Sequence, residues 1–178
     1  SKTIELLFHM TNVKNLPVIV EKMLDRLRKT TDVFLRTELV NKITILSEKF
    51  STDNFWFIST MNEVFLVAGD HVPLEVAHKF LRYISEGATE DEAMNIDLRI
   101  HAVNAYMQLA SNAQLSDILQ MVMAWVLGEY GYLVDSPLEV VNALVDLLER
   151  PPSLKQAASA QRATAFVPGS LGAPISST

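Results

Sequence analysis

Amphipathic segments begin near residues 15, 54, 95 and 137, in successive steps of 39, 41 and 42 residues. This repeat constrains the chain more than any other feature it carries. A two-helix unit of such length cannot bury its own apolar face, so each unit must stack on its neighbours in a row. The spacing inside the segments is helical throughout, and no alternating stretch bounded by hairpin turns points to a sheet.

Leu16, Val20, Met23, Leu24 and Leu27 form the first stripe, with Asn15 read as its cap and Pro17 in its first turn. After a polar break at Thr30–Asp32, Leu35, Leu39, Ile43, Leu46 and Phe50 form the second, with Glu38 and Lys42 spaced to pair outside it. Asp53 is placed to cap Asn54–Ala68, a segment apolar on nearly every side that must be covered on most of its surface. Gly69 closes that helix, and Pro73 opens one lined by Leu74, Ala77, Phe80, Leu81 and Ile84 that stops at Gly87. From about Asn95 the stripe Leu98, Ala102, Ala105 and Leu109 predicts a helix; its partner carries Ile118, Val122, Trp125 and Val126 and ends at Gly128 and Gly131. Ser136 and Pro137 start the last, with Val140, Val141, Leu144, Leu147 and Leu148, before Pro151 and Pro152 stop it. The fold class expected is all-α, a right-handed α-solenoid of HEAT/armadillo-like helix hairpins, about four pairs.

Residues 1–150 read as the solenoid, 151–166 as a weak or partial further helix over Leu154–Phe166, and 167–178 as a disordered tail rich in Ala, Ser, Gly and Pro. Ile4–Met10 reads as the last turns of a helix entered midway, so the chain is expected to continue upstream. Charged residues or Asn interrupt every apolar run before it reaches bilayer length, and no signal-peptide pattern opens the chain, so the expectation is a soluble cytosolic segment. The absence of Cys removes disulfides, thiolate metal sites and Cys nucleophiles together. Residues 1–50 carry nine Lys/Arg against six Asp/Glu and the remainder six against fifteen, too small a basic excess for a nucleic-acid partner.

Nothing in the sequence assembles a catalytic constellation. His9, His71, His78 and His101 lack a second ligand at the spacing that aims two groups at one metal. Gly169, Ser170 and Gly172 have the wrong spacing for a nucleophile elbow and no preceding strand. The carboxylates Glu90, Asp91, Glu92 and Asp97 lack the pattern and central Gly of a calcium loop and read as a solvated connection. Lys22, Arg26, Arg28 and Lys29 read as a solvated polar face in which Asp25 pairs with Arg28 and Lys29, rather than as a lipid or acidic-partner site. Trp56 and Trp125 are expected in the core, and Gly128-Glu129-Tyr130-Gly131 as a tight corner.

The stretch from Trp125 to Gly131 resembles the tryptophan and glycine-glutamate-tyrosine-glycine motif in the trunks of adaptin large subunits. Its companions occur in order: Glu5–Asn12, Val18–Leu24, Leu46–Phe50 and the pair Gly69-Asp70. The match spans nearly all of residues 1–150, and Met10–Asn12 with Asn54–Phe65 is most similar to the epsilon-type large subunits of the fourth heterotetrameric adaptor complex. After Arg150 the sequence does not continue as that family's next trunk helices should.

The resemblance implies a structural subunit of a vesicle-coat adaptor, not an enzyme and without cofactors. It would scaffold a beta-type large, a medium and a small adaptor subunit for cargo selection and protein transport from the trans-Golgi network. It further implies cytoplasmic localisation, peripheral membrane association through the complex, recruitment by an Arf-type small GTPase and independence from clathrin. The segment corresponds to the middle or later trunk, so no lipid, cargo or GTPase residue is carried over, and no subunit-contact residues are assigned. The alternative is another helical-repeat scaffold or transport receptor that presents a peptide-binding groove. An all-helical enzyme would require a pocket of convergent ionisable groups, which the sequence does not offer.

Overall fold

A computed structural model describes residues 1–151. The expected helix at 151–166 and tail at 167–178 therefore lie, but for residue 151, outside the described residues. The chain forms α1 (Lys2–Met10), α2 (Leu16–Lys29), α3 (Val33–Phe50), α4 (Asn54–Ala68), α5 (Leu74–Glu86), α6 (Glu92–Leu109), α7 (Asp117–Tyr130) and α8 (Pro137–Leu148). Short 3-10 turns at Gly69–His71 and Gly131–Leu133 follow α4 and α7. The all-helical solenoid read from the repeat is the observed architecture.

Local signals set most helix starts. The Asp32 carboxylate accepts from the Phe34 and Leu35 amides (2.9 and 3.2 Å), and Asp53 accepts from Phe55 and Trp56 (2.9 and 3.1 Å), closing amides that have no partner inside the helix. Asp91 accepts from Ala93 (3.0 Å) and starts α6 three residues before Asn95. The expected cap at Asn15 does not form. Its side chain is drawn backward instead: Oδ1 accepts from the Asn12 amide (2.7 Å) and Nδ2 donates to the Met10 carbonyl (2.9 Å). These bonds fix the turn between α1 and α2.

Two rows of helices result. The helices α2, α4, α6 and α8 lie side by side in one layer, while α1 packs on α3 and α5 on α7 in the other. Within the hairpins, α2 is close against α3 and α6 against α7. The α4–α5 pair is spaced by rings: Phe57 meets Phe80 and Tyr83 at centroid separations of 6.3 and 4.6 Å, and Phe65 meets Phe80 at 5.4 Å. As its apolar circumference requires, α4 is the central element, touching α2, α3, α6 and α7. Phe57, Ile58, Met61, Val64 and Phe65 on it are buried.

The corner after α7 depends on one glycine, not two. A Cβ on Gly131 would lie 2.5 Å from Val140 Cγ1, so only glycine lets α8 approach this closely, whereas a Cβ on Gly128 meets nothing within 4 Å. Accordingly α7 runs through Gly128 to Tyr130. Gly131→Ala is expected to cost about 1–3 kcal/mol by overpacking, and Gly128→Ala to stabilise α7 by up to about 1 kcal/mol through helix propensity. Urea unfolding followed by circular dichroism checks both signs.

Candidate functional site

The structure scatters the candidate histidines. His9 lies exposed on α1, 3.8 Å from Glu5; His71 Nδ1 is 3.1 Å from the Ala68 carbonyl oxygen; His78 is exposed on α5. His101 stacks on Phe55 at 4.6 Å with an interplanar angle of 12°. Among the described residues no group of three or more His, Asp or Glu side chains is placed to hold a metal ion. Gly169, Ser170 and Gly172 lie outside them.

The acidic connection is built rather than merely solvated. Asn95 is buried on α6, its Oδ1 accepting from the Ala88 and Thr89 amides (2.9 and 3.1 Å) and its Nδ2 donating to the Thr89 carbonyl (2.9 Å). Gly87 is held at a φ of 89°, and a side chain there would collide with the Asn95 amide. Glu92 accepts from Arg99 (2.7 Å) and Asn95 (3.3 Å), which in that order hold its carboxyl below the usual range. Glu90 and Asp97 stay exposed and do not converge with Asp91 and Glu92 on any ion.

In the basic cluster, Lys29 pairs with Asp25 (2.7 Å) as expected, but Arg28 turns away to Glu21 and to Glu63 on α4 (2.9 Å each). Bonds to these two carboxylates raise its pKa. Lys42 and Glu38 are 3.9 Å apart and are not on a solvent face: α1 covers them, and Lys42 bonds Glu5 at 2.7 Å and sits over the Phe8 ring at 4.5 Å. Trp56 and Trp125 pack against the core as expected, each half-buried at its edge. Trp125 meets Tyr130 edge-on (5.9 Å), and the Arg99 guanidinium lies over the same tyrosine ring at 5.2 Å. The tryptophan and glycine-rich motif is thus a structural corner.

Sequence reasoning missed two sets of polar contacts. Tyr106, fully buried on α6, donates to Asn62 Oδ1 on α4 at 2.7 Å, and burial drives its pKa far upward. Three arginines close helix carbonyl ends. Arg36 donates to Leu27 and Thr30 at the end of α2 (3.0 and 2.8 Å) and to Val67 near the end of α4. Arg99 reaches Ile84 and Ser85 on α5 (3.2 and 3.0 Å), and Arg150 reaches Ala110 and Asn112 beyond α6. Only Arg36, in the first turn of α3 just after the polar break at Thr30–Asp32, stood beside a sequence signal.

No nucleophile, base and orienting group converge among the described residues. The prominent surface features are apolar. On α8, Leu138 (71% exposed), Val141, Val145 and Leu148 (83%) recur at intervals of three and four residues, so they share one uncovered helix face. At the opposite end, Leu6, Met10, Val13 and Val18 are exposed on and between α1 and α2. Apolar stripes of this kind mark contact surfaces.

The Adaptin N terminal region model matches residues 1–171. The chain belongs to the adaptin family. The AP-4 complex subunit epsilon-1 of Homo sapiens is 43% identical over 151 residues, covering 83% of this chain and 13% of that protein. The AP-4 complex subunit epsilon of Arabidopsis thaliana is 44% identical over 131 residues, or 73% of this chain and 14% of its own length. The AP-2 complex subunit alpha-1 of the same plant is 29% identical over 133 residues, 75% of this chain and 12% of that protein. The epsilon-type resemblance read from Asn54–Phe65 is thereby supported, and this adaptin chain spans about an eighth of the relatives it matches. The family match also runs past Arg150, where the sequence reading ended the trunk.

Two predictions concern the buried contacts of this adaptin segment. Tyr106→Phe strands the buried Asn62 amide and is expected to cost about 1–3 kcal/mol; a double-mutant cycle with Asn62→Leu should recover part of that loss in urea unfolding. Burial, followed by the nearby Asp53 carboxylate, pushes the Tyr83 phenol from 10.0 to about 12. Because the raised folded value disfavours tyrosinate, this contribution to stability is intact below pH 10 and is lost as pH rises toward 12. Tyrosinate absorbance should lose a late-titrating component in Tyr83→Phe.

Proposed function

We propose that this chain is a trunk segment of an epsilon-type large subunit, acting as a structural scaffold in a heterotetrameric vesicle-coat adaptor. The observation that carries the reading is the family match over nearly the whole chain, joined to a solenoid whose outer helices leave apolar stripes open. On this reading the stripe on α8 is covered by the neighbouring repeat of the longer polypeptide, in the way that α4 is covered by α2 and α6. Residues 1–150 act as one stacking unit.

The role is mechanical, with no bond made or broken. The partners are a beta-type large, a medium and a small adaptor subunit, joined through the extensive contact surfaces of obligate assembly. Cargo selection, transport from the trans-Golgi network, recruitment by an Arf-type GTPase and peripheral placement on Golgi membranes are properties of the assembled complex on this proposal. No helix among the described residues is long and apolar enough to cross a membrane, in keeping with attachment through the assembly.

Affinity purification of the full-length polypeptide containing this chain should return large, medium and small adaptor subunits. Recovery without any of them overturns the proposal. The double variant Val141→Asp, Leu148→Asp should leave the unfolding free energy of this chain within about 0.5 kcal/mol, as for exposed positions. The same variant should abolish recovery of the assembled complex from the full-length polypeptide.

A further inference from the structure

The layer that contains α3, α5 and α7 is not evenly closed: α5 packs on α7, but α3 and α5 are held apart. The gap is a groove of about 470 Å³ whose walls are the C-terminal half of α3 and one face of α5, with Phe57 of α4 among its lining residues. That volume lies within the range of ligand-binding clefts, about 300–1,000 Å³. The aromatic spacing of α4 from α5 is its structural cause, since the Phe57, Phe80 and Tyr83 rings occupy the place where closer helix packing would otherwise form.

Hydrogen-bonding groups without partners among the described residues line this groove. Ser47 on α3 is fully buried, and its hydroxyl has no partner among the described residues. A serine inside a helix ordinarily returns its hydroxyl to the carbonyl four residues back, as the neighbouring Thr44 does to Val40 at 2.8 Å. Buried hydroxyls left unpaired are uncommon because they forfeit their bonds to water. Tyr83 donates to Asn54 Oδ1 at 2.9 Å, and the Asn54 amide nitrogen has no partner among the described residues. On the facing wall Lys79 forms no ion pair among the described residues, whereas its neighbour Arg82 is matched by Glu86 at 3.9 Å.

We propose that the groove between α3 and α5 binds an extended peptide segment carrying one carboxylate side chain and one aromatic or aliphatic side chain. The donors at Ser47 and Asn54 suit main-chain carbonyl oxygens, Lys79 suits the carboxylate, and the ring surface of Phe57 and Tyr83 takes the apolar group. Glu48, on the α3 wall and without an ion pair among the described residues, makes the groove bipolar and disfavours a run of acidic residues. Val76 to Glu86, the span over which α5 lines it, covers about 15 Å at the helical rise, the length of about five extended residues.

The test uses acetylated, amidated, fluorescein-labelled hexapeptides in which one Phe and one Asp are stepped through all positions of a Gly-Ser background, titrated against the intact chain by fluorescence anisotropy. Matched sets replace Asp by Lys or by three consecutive Asp residues. A subset of single-Asp peptides should bind, with Lys79→Ala weakening them about tenfold and Ser47→Ala several-fold, as expected when a charged or buried donor is lost. Lys79→Glu should transfer preference to the Lys set, a reversal that general unfolding cannot produce, and thermal melts of each variant confirm folding. Absence of binding by every single-Asp peptide at millimolar concentration, equal binding of the Lys set, or unchanged affinity in both the Lys79→Ala and Ser47→Ala variants overturns the proposal. Its failure leaves the adaptor reading intact, because recovery of adaptor subunits is measured separately.

Discussion

Three guanidinium groups close the carbonyl ends of α2, α4, α5 and α6, and the regular stack depends on them. In a row of hairpins the helix ends meet the next unit edge-on, where apolar side chains run out and four carbonyls per helix lack internal partners. Arg36 spans two such ends at once, joining the first hairpin to the second, while Arg99 joins the second to the third. Arg150 returns from beyond α8 to the end of α6. A planar cation with five donors suits this place, since it satisfies several oxygens in fixed directions and complements the negative end of the helix dipole. Lysine supplies the charge but not the fork.

Against that polar framework the apolar packing has freedom to vary from one hairpin to the next. Helices α2 and α3 pack closely, as do α6 and α7, while the second hairpin is filled with rings. A bulky aromatic core keeps its helices farther apart, and the displacement appears on the surface as the opening between α3 and α5. A repeat can thus acquire a groove without any change in its helix boundaries. The same logic places Gly131 at the opposite extreme, where absence of a side chain draws α8 inward onto α7.

The chemistry of this adaptin chain follows from that arrangement. Many of its polar side chains are spent on holding helices: Glu92 on Arg99, Asn95 on the preceding turn, Glu21 and Glu63 on Arg28, Glu5 on Lys42. Most of these pairs are exposed enough that each contributes little alone. What remains for partners is shape, apolar stripes and a groove with unspent donors, which is the inventory of a scaffold.

By itself the sequence determined the all-helical class, the hairpin repeat and nearly every boundary, because stripes, aspartate caps, prolines and glycines act within a few residues of where they occur. It also determined the adaptin membership, through Trp125–Gly131 and Asn54–Phe65. Only the tertiary structure decided which partner each long polar side chain takes. Arg28 had Asp25 one turn away but chose Glu63 on α4; Asn15 turned back to α1; Lys42 was covered by a helix that its own stripe does not reveal. The burial of Asn95 and Tyr106, the half-exposure of both tryptophans and the α3–α5 groove were likewise settled in space. The physical reason is common to all of them: a backbone preference is fixed by neighbours in the chain, whereas a side-chain contact between helices is fixed by which face of a distant helix lies alongside.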